Sequence, residues 1–77
     1  MKELIGKIKN KLKGQVQDVY VAGPAEINIV VIDPAQAESL SVKLQEHIAE
    51  MADSTTIAEI RFIGTQNELL DRFPLNQ

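Results

Sequence analysis

The 77-residue sequence predicts an α+β fold, a two-layer α/β sandwich with a three-stranded mixed sheet. Three observations support this prediction. The chain opens on apolar residues at helical spacing, two β-rich runs then flank a short turn, and a second helical pattern precedes a third alternating run. The predicted order is αββαβα, with helices one and two on one face of the sheet and residues 1–77 in a single domain.

The first helix is predicted over roughly Lys2 to Lys13. Its apolar residues fall within one stripe about 100° wide, formed by Met1, Leu4, Ile5, Ile8 and Leu12. Gly14 follows as a natural C-terminal stop, and the lysines of the last turn favour the negative end of the helix dipole. We therefore expect this helix to pack on the sheet through its stripe.

Two strands should form a hairpin after the first helix. Val19 and Val21 alternate with polar neighbours, and the turn residues Gly23-Pro24-Ala25 follow. The run from Glu26 to Asp33 is rich in β-branched residues and is the strongest strand pattern in the chain. Both of its faces carry apolar residues, which predicts a strand at least partly covered on each side.

A second helix is predicted from Asp33 to about Ala52. Asp33 has the character of an N-cap, and Pro34 suits the first helical position. One face of this helix carries the apolar residues Ala37, Leu40, Leu44, Ile48 and Met51. It should therefore lie beside helix one on the sheet.

A third strand is predicted from Thr56 to Ile63, where apolar and charged residues alternate. The tetrapeptide Thr65-Gln66-Asn67-Glu68 matches a capping box, which predicts a short third helix running through Phe73 and stopped by Pro74. The hairpin and the helical crossover should place strand three parallel to one strand of the hairpin.

Composition excludes several classes of protein. The chain has no cysteine, so it holds neither a disulfide framework nor a thiolate zinc site. Its longest apolar run, Ile29 to Ile32, is far shorter than the ~20 residues that span a bilayer, and the lysine-interrupted N-terminus is unlike a signal peptide. We therefore expect a soluble, cytoplasmic protein.

The sequence gives little support for an enzyme, a metal site or a cofactor. His47 is the single histidine, and no nucleophile and orienting group accompany it as a triad requires. His47 and Glu50 are three residues apart on the second helix, a spacing that suits a divalent metal, but two ligands are too few unless a dimer shares them. The four glycines are scattered, so no phosphate loop is present. We predict no catalytic residues, no metal and no cofactor.

The charge is strongly uneven. The first 14 residues have a net charge of about +4 and the remainder about −7, although the whole chain is only −3. The positive charge lies along both edges of the apolar stripe of helix one, at Lys2, Lys7, Lys9, Lys11 and Lys13. These lysines are candidates for binding an anion, either a nucleic-acid backbone or an acidic membrane surface. The sequence favours a simpler interpretation, a core helix whose lysines are solvated or offset the acidic remainder of the chain.

A possible self-association surface is the second feature. The second face of the sheet and the outer side of helix two carry more apolar residues than two layers need. The candidates are Tyr20, Val30, Ile32, Val42, Ile57 and Ile63. We therefore expect a small non-enzymatic protein-interaction or homo-oligomerisation module, whose partner is itself or another protein. An anion-binding module and a metal-responsive regulatory domain are the alternatives.

Overall fold

The computed structural model describes residues 2–51 and 57–75. The elements run in the order α1 (Lys2–Lys11), β1 (Val16–Val21), β2 (Glu26–Val31), α2 (Ala37–Met51), β3 (Glu59–Ile63) and β4 (Leu69–Pro74). A 3-10 turn, Pro34–Gln36, leads directly into α2. The α+β class and the mixed sheet are confirmed, but the described residues form four strands and two helices.

The sheet has the simple order β1-β2-β3-β4. Its central pair, β2 and β3, is parallel, whereas each edge strand is antiparallel to its neighbour. The parallel pair requires the chain to return across the sheet, and α2 lies within that crossover. The edges are interrupted as exposed edges usually are, by a register shift between Val16 and Asp18 in β1 and by Pro74 at the end of β4.

The predicted third helix is wrong, because the segment is a tight turn followed by β4. The amide of Asn67 donates to the Gly64 carbonyl at 3.0 Å, and the amide of Gly64 donates to the Glu68 carbonyl at 2.9 Å. Asn67 has a φ of 69°, the left-handed conformation found in three-residue hairpin loops. The carboxylate of Glu68 accepts from the amide of Gln66, so the capping-box residues serve a hairpin instead.

Phe73 explains why the last segment pairs with the sheet. It lies opposite Ile60 in the antiparallel register of β3 and β4 and is buried. Its ring centroid is 6.1 Å from that of Phe62, within the range of favourable aromatic pairs. Burial of an aromatic side chain contributes about 1.5–3 kcal/mol, which is more than the local preference for one helical turn.

Asp33 begins the second helical segment as predicted. Its side chain accepts a hydrogen bond from the Ala35 amide at 3.1 Å, and Pro34 occupies the first turn. The first turn is 3-10, after which α2 continues in regular form to Met51. The predicted end of this helix at Ala52, and the first residue of the predicted third strand, lie outside the described residues.

The core lies between the sheet and the two helices. Its helical members are Leu4, Ile8 and Leu12 from α1 and its continuation, with Ala37, Leu40 and Leu44 from α2. Its sheet members alternate along the strands and are Val19, Ile27, Ile29, Val31, Ile60, Phe62 and Phe73. Since these sheet residues share one side of the pleat, both helices lie on that side. Gly14, with a φ of 85°, turns the chain from α1 towards β1.

Candidate functional site: the open face of the sheet

The side of the sheet away from the helices is the main candidate surface, and we call it the open face. Side chains alternate along a strand, so residues between the core positions project to this side. They are Asp18 and Tyr20 on β1, Glu26, Asn28 and Val30 on β2, Glu59, Arg61 and Ile63 on β3, and Leu69, Arg72 and Pro74 on β4. Within the two ranges that the structure describes, no helix or strand packs over them.

One row of the open face crosses all four strands. Tyr20 pairs with Asn28, Asn28 with Arg61, and Arg61 with Arg72. Cross-strand neighbours on one face lie about 4.5–5.5 Å apart at Cβ, so these four side chains form a continuous line. We call this line the polar row. Its aromatic and amide groups come from β1 and β2, and its two guanidinium groups come from β3 and β4.

An ion-pair network joins the polar row to two carboxylates beside it. Arg61 Nη1 lies 3.6 Å from Glu26 Oε1, and Arg61 Nε lies 3.9 Å from Glu59 Oε1. Arg72 Nη1 lies 3.5 Å from Glu59 Oε2. These pairs are partly solvated, so each contributes at most about 1 kcal/mol to folding. The two cations and two anions leave the network electrically neutral.

Two buried polar atoms in the polar row have no hydrogen-bond partner among the described residues. They are Asn28 Oδ1 and Arg61 Nε. The 3.9 Å separation of Arg61 Nε from Glu59 is an ion-pair distance but exceeds the length of a hydrogen bond. A buried polar atom without a partner costs about 1–3 kcal/mol. The centre of the polar row therefore contains one acceptor, Asn28 Oδ1, and one donor, Arg61 Nε, that form no hydrogen bond with the described residues.

The other end of the open face is apolar apart from Asp18, which pairs with Val30 at the β1 edge. Val30 is half-buried and pairs with Ile63, which is only 3% exposed although it does not belong to the core cluster. Leu69 lies opposite Ile63 in register and is 47% exposed, and Ile32, just beyond β2, is 56% exposed. We call these four residues the apolar end. Because Ile63 is buried, the hydrophobic surface of the apolar end comes from Val30, Ile32 and Leu69, beside the polar row.

The structure divides the predicted self-association residues. Tyr20, Val30 and Ile63 lie on the open face, and Ile32 extends its apolar end. Ile57 is fully buried in the core cluster, so its assignment to the second sheet face is wrong. Val42 is 51% exposed, but it is half a helical turn from the buried Leu40 and Leu44 and so faces away from the sheet. The predicted residues therefore do not form one surface.

The lysines of α1 surround a helix whose apolar stripe is in the core. Lys7, Lys9, Lys11 and Lys13 are exposed, and the side chain of Lys2 lies outside the described residues. Lys9 Nζ lies 3.8 Å from Asp18 Oδ1 in an exposed ion pair. Leu4, Ile8 and Leu12 are buried, so the stripe packs against the core in the part of the helix that the structure describes.

The predicted metal-binding pair gains no further ligand. His47 is half-buried on α2, and the side chain of Glu50 lies outside the described residues. Among the residues that the structure describes, no group of three histidine or carboxylate side chains could hold a metal ion. The pairing of His47 with Glu50, three residues apart, therefore rests on the sequence.

Sequence reasoning missed the charged half of the open face. Glu59 and Arg61 alternate with core residues, which indicates that their side chains point away from the core. The sequence does not indicate that Arg61 forms an ion pair with Glu26 on the neighbouring strand. Because the predicted third helix includes Arg72, the sequence does not place this residue in the sheet.

Among the described residues, no helix is both long and apolar enough to cross a membrane. Comparison with protein-family models, with curated proteins and with solved structures finds no match to this chain.

Proposed function

We propose that this chain is a small non-enzymatic protein-interaction module that binds a polypeptide through the open face of its sheet. The observation that carries the proposal is the apolar end, where Ile32 and Leu69 are about half exposed beside Val30. Burying such side chains contributes about 25 cal/mol per Å² of apolar area. A neighbouring row of paired charges can fix the orientation of the partner without adding net charge. The cysteine-free composition agrees with residence in the cytoplasm, which forms part of the same proposal.

The test compares three variants of the whole chain that introduce the same residue. Ile32→Lys and Leu69→Lys place a charge in the apolar end, whereas Val42→Lys places it at a position of similar exposure on the outer side of α2. Each purified protein is assayed for self-association by sedimentation and for retention of cellular proteins by crosslinking. We expect an association that survives Val42→Lys and is lost with Ile32→Lys and Leu69→Lys.

The result that opposes the proposal is equally direct. If every association, with itself or with another protein, is unchanged by both apolar-end variants, the open face is not the binding surface. Circular dichroism shows whether each of the three variants is folded, and binding is compared only between folded variants. The matched exposure of Val42 controls for nonspecific effects of an added surface lysine.

A second candidate is binding of a polyanion by the lysines of α1. It is favoured by one observation, the exposure of Lys7, Lys9, Lys11 and Lys13 along a helix whose stripe is already buried. Phosphate contacts make such binding steeply salt-dependent. Replacing Lys7 and Lys11 with glutamine should weaken binding to duplex DNA at low salt. Binding that is unchanged by these substitutions, or by added salt, would remove this candidate.

A further inference from the structure

We infer that both edges of the sheet are protected against the addition of another strand, because an aspartate on each edge binds a backbone amide that a new strand would need. The two residues are Asp18 on β1 and Asp71 on β4. An edge strand that offers unpaired N–H and C=O groups is a template for pairing with another chain. Protection of the edges is separate from binding at the open face, which uses side chains instead of backbone groups.

The backbone of β1 alternates between groups that face β2 and groups that face the free edge. The amide of Ala22, just beyond β1, donates to the Glu26 carbonyl at 2.9 Å, so Ala22 faces β2. Hydrogen-bonded pairs recur at every second residue of an antiparallel ladder, which places the amides of Val19 and Val21 on the free edge. Among the described residues, no other strand pairs with this side of β1.

Asp18 binds the first of these outward amides. Its Oδ1 accepts a hydrogen bond from the amide of Val19 at 2.8 Å. Lys9 Nζ, on α1, lies 3.8 Å from the same oxygen, so an ammonium group is also present at this edge. The register shift between Val16 and Asp18 interrupts the regular spacing that a new strand would have to match. A strand that paired with Val19 would therefore have to displace the carboxylate and remove water from two charges.

The same arrangement is found on β4, at the opposite edge. The amide of Leu75 donates to the Ala58 carbonyl at 2.9 Å, so Leu75 faces β3 and the alternation places the amide of Arg72 on the free edge. Asp71 Oδ1 accepts from this amide at 2.8 Å. Pro74, at the next outward position, has no amide hydrogen. From Arg72 to Pro74, β4 therefore presents no free amide to a new strand.

The two aspartates have no evident role in forming the strands that contain them. Aspartate is among the residues least favoured in a strand, and neither carboxylate belongs to the core. Each lies directly before an outward amide, and each accepts from that amide at the same distance of 2.8 Å. The occurrence of one disfavoured residue at the equivalent position of both edge strands points to protection of the edges.

β1 depends on its aspartate more than β4 does. The sequence Val19-Tyr20-Val21 is β-branched and aromatic throughout, which favours pairing with another strand. Tyr20 and Val21 are also exposed, whereas Pro74 interrupts β4 whether or not Asp71 is present. Loss of Asp18 should therefore allow β1 to pair with β1 of a second copy, and loss of Asp71 alone should not open β4.

Substitutions of the aspartates in the whole chain test this inference. Asp18→Ala removes the acceptor from β1, whereas Asp18→Asn keeps an acceptor oxygen but removes the charge. Asp33→Ala is the control, because it removes the same charge at the start of the α2 segment, away from both edges, and removes a helix cap as well. Sedimentation measures the association of each protein across a range of concentrations, and circular dichroism shows whether each variant is folded.

The expected result is that Asp18→Ala associates at a concentration about tenfold lower than the wild type, Asp18→Asn, Asp71→Ala and Asp33→Ala, a difference of the size of one hydrogen bond. Equal association of folded Asp18→Ala and the wild type would overturn the inference. Association of Asp18→Asn as strong as that of Asp18→Ala would assign the protection to charge and overturn the role of the hydrogen bond. Association of Asp33→Ala to the same extent would show that the edge is not involved.

Amide hydrogen exchange of the wild-type chain is a second test that requires no substitution. After correction for sequence, the amides of Val19 and Arg72 should exchange about three- to tenfold more slowly than the outward amide of Val21. Exchange of either amide as fast as that of Val21 overturns the protection of that edge. Adding Leu69→Lys to Asp18→Ala separates the two surfaces, because pairing through β1 should persist when the apolar end is disrupted. The proposed function does not depend on these outcomes.

Discussion

Arg61 and Glu26 lie on neighbouring parallel strands and are joined across the open face by an ion pair of 3.6 Å. The two residues are offset by one open-face position, since Arg61 pairs in register with Asn28 and Glu26 pairs with Glu59. Arg61 thus bridges two carboxylates while its Nε lacks a hydrogen bond. This geometry suits a surface that exchanges its internal contacts for those of a partner.

Replacing Arg61 with methionine should change the free energy of unfolding by less than about 1 kcal/mol. Partly exposed ion pairs contribute little, and the substitution also removes a buried nitrogen without a partner. Chemical denaturation with urea measures the effect, and Phe62→Leu, at the next position in the core, should cost more. A loss of several kcal/mol in Arg61→Met would show that the network supports the fold and is not held ready for binding.

Asp33→Ala should destabilise the protein by about 1 kcal/mol, because it removes the N-cap of the α2 segment. The carboxylate accepts from the Ala35 amide at 3.1 Å, and alanine offers no acceptor. Asp33→Asn is the matched control, since its amide oxygen can accept the same bond. Equal urea midpoints for Asp33→Ala and the wild type would contradict the capping role.

The class of fold was predictable because its strongest signals are local. The stripe of α1, the β-branched run of β2 and the N-cap at Asp33 each depend on residues close in sequence. The last strand was not predictable in this way. The apolar residues Leu69, Leu70 and Phe73 fit the spacing of a helix as well as that of a strand. Its pairing with β3 is decided by the burial of Phe73 against Phe62, a contact between separate strands.

The open face was predictable only in part. The alternation of side chains within each strand predicts that Val30 and Tyr20 lie on the face opposite the core. It predicts the same for Arg61. The polar row depends on the register between strands, which alternation alone does not set. The placement of Ile57 on the second sheet face is wrong for a related reason: Ile57 precedes β3, so the alternation of the strand does not set its side, and its side chain belongs to the core cluster.

Ile57→Val should cost about 1 kcal/mol in the free energy of unfolding, as expected for removal of a buried methylene. Ile32→Val removes the same group at an exposed position and should have almost no effect. Urea denaturation of both variants, under conditions where the protein is monomeric, makes the comparison direct. Equal costs would place Ile57 at the surface and contradict its position in the core.

Asn67 offers the sharpest test of the hairpin that replaces the predicted third helix. With a φ of 69° it favours glycine, whereas alanine in the left-handed region costs about 1–2 kcal/mol. Asn67→Gly should therefore be at least as stable as the wild type, and Asn67→Ala clearly less stable, when the two are compared by urea denaturation. A helix would give the reverse order, because glycine is about 1 kcal/mol worse than alanine within a helix. The sign of the difference between the two variants thus decides between a strand and a helix after Glu68.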